Sequence, residues 1–420
     1  MAGIFFVFNL KKETIVKNNI QWPAENSQVS ENVPVERGEE KNEEDSPFVD
    51  LKEIIKLSSE DLEVVLEPRV TLEAPPDIVK AVYLTSASAG SKKKIDYLLN
   101  LASTTEINAV VIDIKDYSGY VAYKTSLPAV KKYGAEIARI ADIEKLIENL
   151  HQEGIYVIAR MEVFQDPVFA LNRPDLAVHS AAKLASSTDG NFSADTIWLD
   201  SLKLAWLDPA SKEAWDYNIA IAKDAWSRGF DELNFDYVRF PSDGDLKDIV
   251  YPVWDGKTPR NLVIKEFFEN LRAELPEAKL SIDFFGLTTV NEGDMGVGQK
   301  LEDAFEFFDF VSPMTYPSLY SPGFIGLENP NEHPYEVVKY SMENALTRLQ
   351  NFLEKFPEKS VKLRPWLQHF NLGVGYNANM LKLEIQASKD ALAENYSGYM
   401  FWNPSNVYIK EALGAPEPSD

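Results

Sequence analysis

Cysteine is absent from this chain of 420 residues. Disulfides, thiolate metal sites and thiol nucleophiles are therefore excluded, while the compartment stays open. Histidine is scarce as well: His151, His179, His333 and His369 are scattered and show no metal-ligand spacing, so no metal is expected and metal-dependent hydrolysis loses its main support. Positive charge is in deficit, with 42 Lys and Arg against 66 Asp and Glu and a formal net charge of −24. An acidic surface repels phosphate backbones and anionic lipid, so nucleic acid is not expected as a partner. Long apolar runs are also missing. The one near the start, Ala2 to Phe8, is too short to span a bilayer and lacks a basic n-region and a small-residue cleavage site. Residues 1–10 read either as the remnant of a truncated signal or anchor or as a plain apolar start, and a membrane tether is expected through such a segment only.

What is present falls into three further parts. Residues 11–50 are polar and acidic, centred on Glu36 to Asp45, with too few apolar side chains to offset the entropy of ordering; they read as a disordered linker. In residues 51–76 the apolar positions return (Ile54, Ile55, Leu57, Leu62, Val64, Val65), as expected of an arm packing on the main domain. Residues 77–415 alternate strand and helix. The strands are Ala81–Thr85, Ala109–Asp116, Ile155–Val163, the stretch Phe230–Pro241, Lys279–Phe285, Phe310–Tyr316, Leu363–His369 and Gly398–Asn403. Between them lie segments with one apolar face, such as Ile143, Leu146, Ile147 and Leu150. Asp208-Pro209 is expected to open the helix before the fourth strand, Asp as cap and Pro in the first turn. Eight such units predict an α/β fold, a closed (β/α)8 TIM barrel. A doubly wound open sheet has less support, because no glycine-rich nucleotide loop follows the first strand.

Chemistry in such a barrel gathers at the C-terminal strand ends, so polar residues at inward parity are the ones to look for. Strand two offers Asp113 and Lys115, strand three Arg160 and Glu162, strand four Asn234 and Asp236, strand five Ser281 and Asp283, and strand six Ser312 and Tyr316. Strands seven and eight supply Trp366, Gln368, Met400 and Trp402, with His369 and Asn403 at the rim. Carboxylates on one side and indole faces on the other suit a sugar ring. Two carboxyl groups of unequal pKa are also what glycosidic bond cleavage requires. Structural alternatives stand beside each reading. Asp113 with Lys115, or Arg160 with Glu162, could be ion pairs of the barrel; Arg239 is expected to tie down the strand end, and Trp366 could be core. The acidic loop Ser242–Asp248 lacks the full calcium ligand pattern and is expected to be solvated.

Three runs carry a family resemblance: Leu233-Asn-Phe-Asp-Tyr-Val-Arg-Phe-Pro241, Ala205-Trp-Leu-Asp-Pro209 and Val311-Ser-Pro-Met-Thr-Tyr-Pro317. From about Pro76 to Leu413 the chain resembles a family of bacterial TIM-barrel glycoside hydrolase domains. A weaker likeness to chitinase-like barrels rests on Met314, Tyr316, Gly398, Met400 and Trp402, but Val238 stands where their strand-four glutamate acid would be. Alpha-galactosidase-like and amylase-like barrels carry an aspartate nucleophile at the end of strand four, which Asp236 resembles better. Barrels with the nucleophile on strand seven fit poorly, since Leu363 to Phe370 contains no carboxylate.

The expectation is a glycosidase acting on a polysaccharide or cell-wall glycan. Asp236 is its nucleophile or charge stabiliser and Asp283 its acid/base, with Glu162 in reserve for that second role. Tyr316, Trp366 and Trp402 hold the sugar. Asp113, Lys115 and Arg160 hydrogen-bond its hydroxyls, and Asn234, Gln368, His369 and Asn403 complete the substrate-binding set. No cofactor is expected, the partner is carbohydrate, and an extracytoplasmic location is expected with the cytoplasm left open. The rival readings are a non-catalytic glycan-binding barrel at the cell surface and a structural barrel plugged by residues 164–207.

Overall fold

The computed structural model describes residues 54–64, 70–188 and 190–416; the segments 1–10 and 11–50 lie outside them. Eight parallel strands follow one another around a closed sheet: β1 (Val79–Leu84), β2 (Ala109–Lys115), β3 (Tyr156–Glu162), β4 (Glu232–Asp236), β5 (Leu280–Phe285), β6 (Phe310–Met314), β7 (Lys362–Leu363 and Trp366–Gln368) and β8 (Gly398–Trp402). Closure is seen in the register of β1, which places Ala81 opposite Ala109 of β2 and Val79 opposite Gly398 of β8. The (β/α)8 barrel is thus the architecture. β7 is interrupted at Arg364-Pro365, where proline has no N–H for the ladder.

Helices α1 (Lys92–Thr104), α2 (Ile143–Gln152), α3 (Lys212–Ser227), α4 (Arg260–Glu274), α5 (Leu301–Phe305), α6 (Pro334–Lys355) and α7 (Ala378–Leu392) surround the strands. After β8 the terminal helix is only a 3-10 turn, Lys410–Ala412. In α2 the side chain of Asp142 accepts the Lys145 N–H at 2.8 Å, and Ile143, Leu146, Ile147 and Leu150 bury one face. α3 starts later than expected. Ser211, not Asp208, caps it, because the Asp208 carboxylate is already occupied by the N–H groups of Ala210, Val253 and Trp254 at 3.0, 2.7 and 2.8 Å.

Strand alternation separates two cores. Outward side chains (Val110, Ile112 and Ile114 of β2; Val157, Ala159 and Met161 of β3) pack against the helices. Inward ones (Ala81, Tyr83, Ala109, Val111, Tyr156, Ile158, Trp366, Met400) fill the barrel, joined by Leu72 of the arm. Leu72 donates its N–H to Asp231 at 3.2 Å, just before β4, which places the arm at the N-terminal end of the barrel. The stretch Phe230–Pro241 is a strand only from Glu232 to Asp236, because Tyr237 turns into the left-handed region at φ +54° and leaves the ladder.

Closure depends on Gly398, at φ +106°, where an added Cβ would lie 1.8 Å from the Val79 carbonyl oxygen. Gly398→Ala is expected to cost about 4 kcal/mol or more, as strained backbone plus steric overlap. Denaturant titration of the purified variant checks this, and a midpoint unchanged from wild type would contradict it.

Candidate active site

At the C-terminal end of the barrel the site is built around one guanidinium. Arg160, on β3 and 2% exposed, reaches Asp113 Oδ1 at 2.6 Å through Nη1. Its Nη2 lies 2.5 Å from Asp236 Oδ2 and 3.4 Å from Glu162 Oε1, and its Nε is 3.7 Å from Asp283 Oδ2. The register explains the gathering: Asp113 stands opposite Arg160, and Glu162 opposite Asp236. Asp236 Oδ1 accepts the backbone N–H of Tyr237 at 2.6 Å, while Glu162 Oε2 is buried with no hydrogen-bond partner.

Burial disfavours charge on these groups, and Arg160 only partly offsets it. Asp113 is raised to about 6, chiefly by burial and against the Arg160 charge. Glu162 is raised well above the usual carboxylate range by burial, with Asp236 and Asp113 adding repulsion. Asp283 is raised in the same way by burial and by Asp236. Its surroundings nevertheless differ from those of Glu162. Asp283 is 1% exposed, and its Oδ1 accepts from the Asn234 amide at 2.8 Å and the Trp366 indole at 2.7 Å.

Several expected sugar contacts are engaged within the protein. Lys115 was expected on the inward face, but an irregularity in β2 between Asp113 and Lys115 shifts the register, so Lys115 stands opposite outward-facing Met161. There it is fully buried, 2.8 Å from Asp166 Oδ2 and 2.6 Å from the Glu162 carbonyl. Gln368 accepts from the Ser318 N–H at 3.1 Å and donates to the Phe370 carbonyl at 3.0 Å. His369 Nε2 accepts the Ile409 N–H at 3.0 Å, and Asn403 donates to the Val407 carbonyl at 2.6 Å; both tie the segment after β8 to the rim. Asn234 holds Ser281 and Asp283, and Trp366 is core that orients Asp283. Tyr316 is 4% exposed with its ring edge-on to Phe370.

Trp402 is the half-buried aromatic of the group. Its ring stacks on Tyr83 at 3.9 Å, meets Trp366 at 5.7 Å, and lies 5.0 Å from the Arg160 guanidinium. Three contributors were missed in the sequence. Tyr83, whose hydroxyl donates to Asp113 Oδ2, lies one residue before the end of β1, whose last four residues, Ala81 to Leu84, include no charged one. Asp166 lies in the excursion after β3, beyond the strand parity used to find candidates. Tyr237 sits at opposite parity to Asp236 and contributes its backbone N–H, which the peptide at the end of β4 turns toward that carboxylate. The loop Ser242–Asp248 is not merely solvated, since Asp248 accepts from Ser180 Oγ at 2.5 Å and the Ala182 N–H at 2.8 Å. Asp243 is buried beside Asp200 and raised to about 6. Among the described residues no group of three or more His, Cys, Asp and Glu is arranged to hold a metal ion, and no helix is long and apolar enough to cross a membrane.

A closed (β/α)8 barrel with clustered carboxylates and an indole at its C-terminal mouth defines a glycoside hydrolase-like domain. The chain belongs to the family described as "Putative glycosyl hydrolase domain", whose model matches residues 81–408. Among solved structures it is similar to a hypothetical protein from Ruminiclostridium thermocellum ATCC 27405, at 39% identity and TM-score 0.42, covering 48% of this chain and 96% of that one. It is also similar to the PgaB (BpsB) glycoside hydrolase domain from Bordetella bronchiseptica, at 14% identity and TM-score 0.55, covering 80% and 99%. A further likeness is to the PelA glycoside hydrolase domain from Pseudomonas aeruginosa, at 11% identity and TM-score 0.39, covering 80% and 97%. No curated protein matches.

The structural role of His369 generates a pH prediction. Burial lowers its imidazole to about 4, below the ordinary value of about 6.5 in an unfolded chain. Its contribution to stability is therefore intact above pH 6.5 and declines as pH falls through 4, by about 3 kcal/mol across the window. Asp113, raised in the fold, acts with the opposite sign, so the histidine is isolated by comparing wild type with His369→Gln. Urea unfolding between pH 7 and 4 should show a steeper loss for wild type than for the variant; parallel curves would refute the assignment.

Proposed function

We propose that this chain is a glycoside hydrolase in which Asp236 is the nucleophile and Glu162 the acid/base. One observation carries the reading: the last residues of β3 and β4 bring both carboxylates to the same Arg160 nitrogen. At 3.4 and 2.5 Å from it, Glu162 Oε1 and Asp236 Oδ2 are no more than about 6 Å apart, an upper bound that admits the carboxyl spacing of about 5 to 5.5 Å used for double displacement. Glu162, raised by burial and with one oxygen unpartnered, is suited to protonate the leaving glycosidic oxygen. Asp236, accepting from Arg160 and the Tyr237 N–H, is aligned to attack the anomeric carbon. Glu162, then ionised, takes a proton from the water that releases the sugar.

Asp283 has a different part in this scheme. Its Oδ1 is filled by two donors, so it supports Arg160 from below rather than reaching a leaving group. Trp402 supplies the aromatic face for a sugar ring, and Asp113 keeps Arg160 in place. The glycoside hydrolase family model supports the reaction class, and a polymeric glycan as substrate would place the domain outside the cytoplasm. A second reading, glycan binding without cleavage, is favoured by the low exposure of the pair, 5% for Glu162 and 6% for Asp236.

Screening the purified protein against a polysaccharide panel separates the two. Hydrolysis is expected with retention of anomeric configuration, followed by proton NMR of the first product. Glu162→Gln should lower kcat by about 10² to 10⁴-fold and Asp236→Asn should abolish turnover, both with the fold intact by circular dichroism. An active Asp236→Asn protein would sink the assignment, whereas binding without cleavage by wild type would select the second reading.

A further inference from the structure

β4 leaves its ladder one residue past Asp236, and the departure has an unusual form. Tyr237 adopts φ +54°, a left-handed conformation that sterics disfavour for any residue carrying a Cβ. Held strain of this kind persists only where the surroundings over-determine it. Here they do so from both sides of the residue. On the backbone side, the Tyr237 N–H donates to Asp236 Oδ1 at 2.6 Å, and its carbonyl accepts the Phe164 N–H at 3.4 Å. On the side-chain side, the ring packs 4.8 Å from the Arg239 guanidinium and 5.8 Å from the Trp206 ring.

Arg239 is itself fixed, since it donates to the Phe240 carbonyl at 3.2 Å and Ser242 Oγ at 3.0 Å. Its guanidinium also lies against Trp206 at 4.8 Å and Phe285 at 4.7 Å. The ring of Tyr237 therefore closes an aromatic box around a tethered cation. In a regular strand the 236–237 peptide would direct this N–H into the ladder and away from the preceding side chain. Here that peptide plane is turned where β4 ends, and its N–H meets Asp236 Oδ1 instead. Because Arg160 holds Oδ2, each oxygen of Asp236 then has one fixed donor.

We propose that Tyr237 is a positioning residue for Asp236: packing of its ring against Arg239 and Trp206 holds the strained turn after β4, and with it the 236–237 peptide plane whose N–H fixes the orientation of that carboxylate. The inference rests on the reading of Asp236 as nucleophile. The charged and titratable groups around Asp236 are Arg160 and Glu162 from β3, Asp283 from β5, Asp113 from β2, Tyr316 after β6 and Tyr237 itself, with Arg239 behind Tyr237. Against that background, removing the ring lets the backbone relax and withdraws an N–H from the ionised form of Asp236.

Three variants test the proposal. Tyr237→Ala and Tyr237→Gly both lose the ring, but only glycine accepts the left-handed conformation freely, so the Gly protein should melt at the higher temperature. The opposite order would overturn the conformational basis. On a glycan that wild type cleaves, Tyr237→Ala should lose about tenfold to hundredfold in kcat with KM within about twofold. The acidic limb of its pH profile should move to higher pH, while Tyr237→Phe, which keeps the ring, should stay within about twofold of wild type throughout. Wild-type kcat and an unmoved pH profile in Tyr237→Ala would overturn the proposal. If wild type cleaves nothing, the nucleophile reading fails by itself, and carbon-13 NMR titration of Asp236 still decides the positioning. A higher midpoint in Tyr237→Ala, but not in Tyr237→Phe, supports it; one midpoint for all three proteins overturns it.

Discussion

The buried Arg160 guanidinium is the constraint on which the upper half of this barrel depends. Asp113, Glu162, Asp236 and Asp283 converge on it from four strands, in a space where each is 6% exposed or less. Four carboxyl groups without a cation would either take up protons or force the strand ends apart, because desolvated like charges repel strongly. One cation cannot neutralise four anions. Burial and mutual repulsion accordingly raise Asp113, Glu162 and Asp283, each toward its protonated form. A site with one permanent positive charge and fewer negative charges than carboxyl groups can hold an acid and a nucleophile together, as glycosidic bond cleavage requires.

The lower half of the barrel interior follows a different rule. There Ala81, Ala109, Val111 and Ile158 form an apolar filling, closed by Leu72 from the arm. An ion pair is embedded in it, Arg364 with Glu232, whose other oxygen accepts the Tyr156 hydroxyl at 3.3 Å. Removing either partner of such a pair leaves an uncompensated charge, so the pair constrains β4 and β7 more than it stabilises them. Leu72 and this pair close the base of the barrel. The strand ends above can then hold Arg160 and its partners in fixed positions without support from loops alone.

Much of this was legible in the sequence because strand alternation is a strong signal. All eight strands, and the inward set of Asp113, Arg160, Glu162, Asn234, Asp236 and Asp283, follow from period-two reading alone. What alternation could not supply was any departure from it. The irregularity in β2 turns Lys115 outward to Asp166, and the left-handed Tyr237 ends β4 five residues before the expected Pro241 break. Both are single-residue backbone events without a side-chain signature. The internal hydrogen bonds of Gln368, His369 and Asn403 were not legible for a related reason. Polar residues at a rim look alike in sequence whether they face a ligand or the loop that crosses them, and here Ile409, Val407 and Ser318 cross them.

In the proposed scheme, depth rather than parity separates the reacting carboxylates from the supporting ones. Glu162 and Asp236 are the final residues of β3 and β4, whereas β5 continues for two residues beyond Asp283. Those two residues put Phe284 and Phe285 above Asp283 and bring it within reach of Trp366 and Asn234, so its Oδ1 is filled before any ligand arrives. A carboxyl group in that position orients a neighbour; one at the strand end, with an oxygen unpartnered, can exchange a proton with a ligand. The expected ends of strands three and five, Val163 and Phe285, both lay close to the observed ones. It was the offset of the carboxylate from its strand end that carried the chemical distinction, and that offset assigns proton transfer to Glu162 in the proposed scheme.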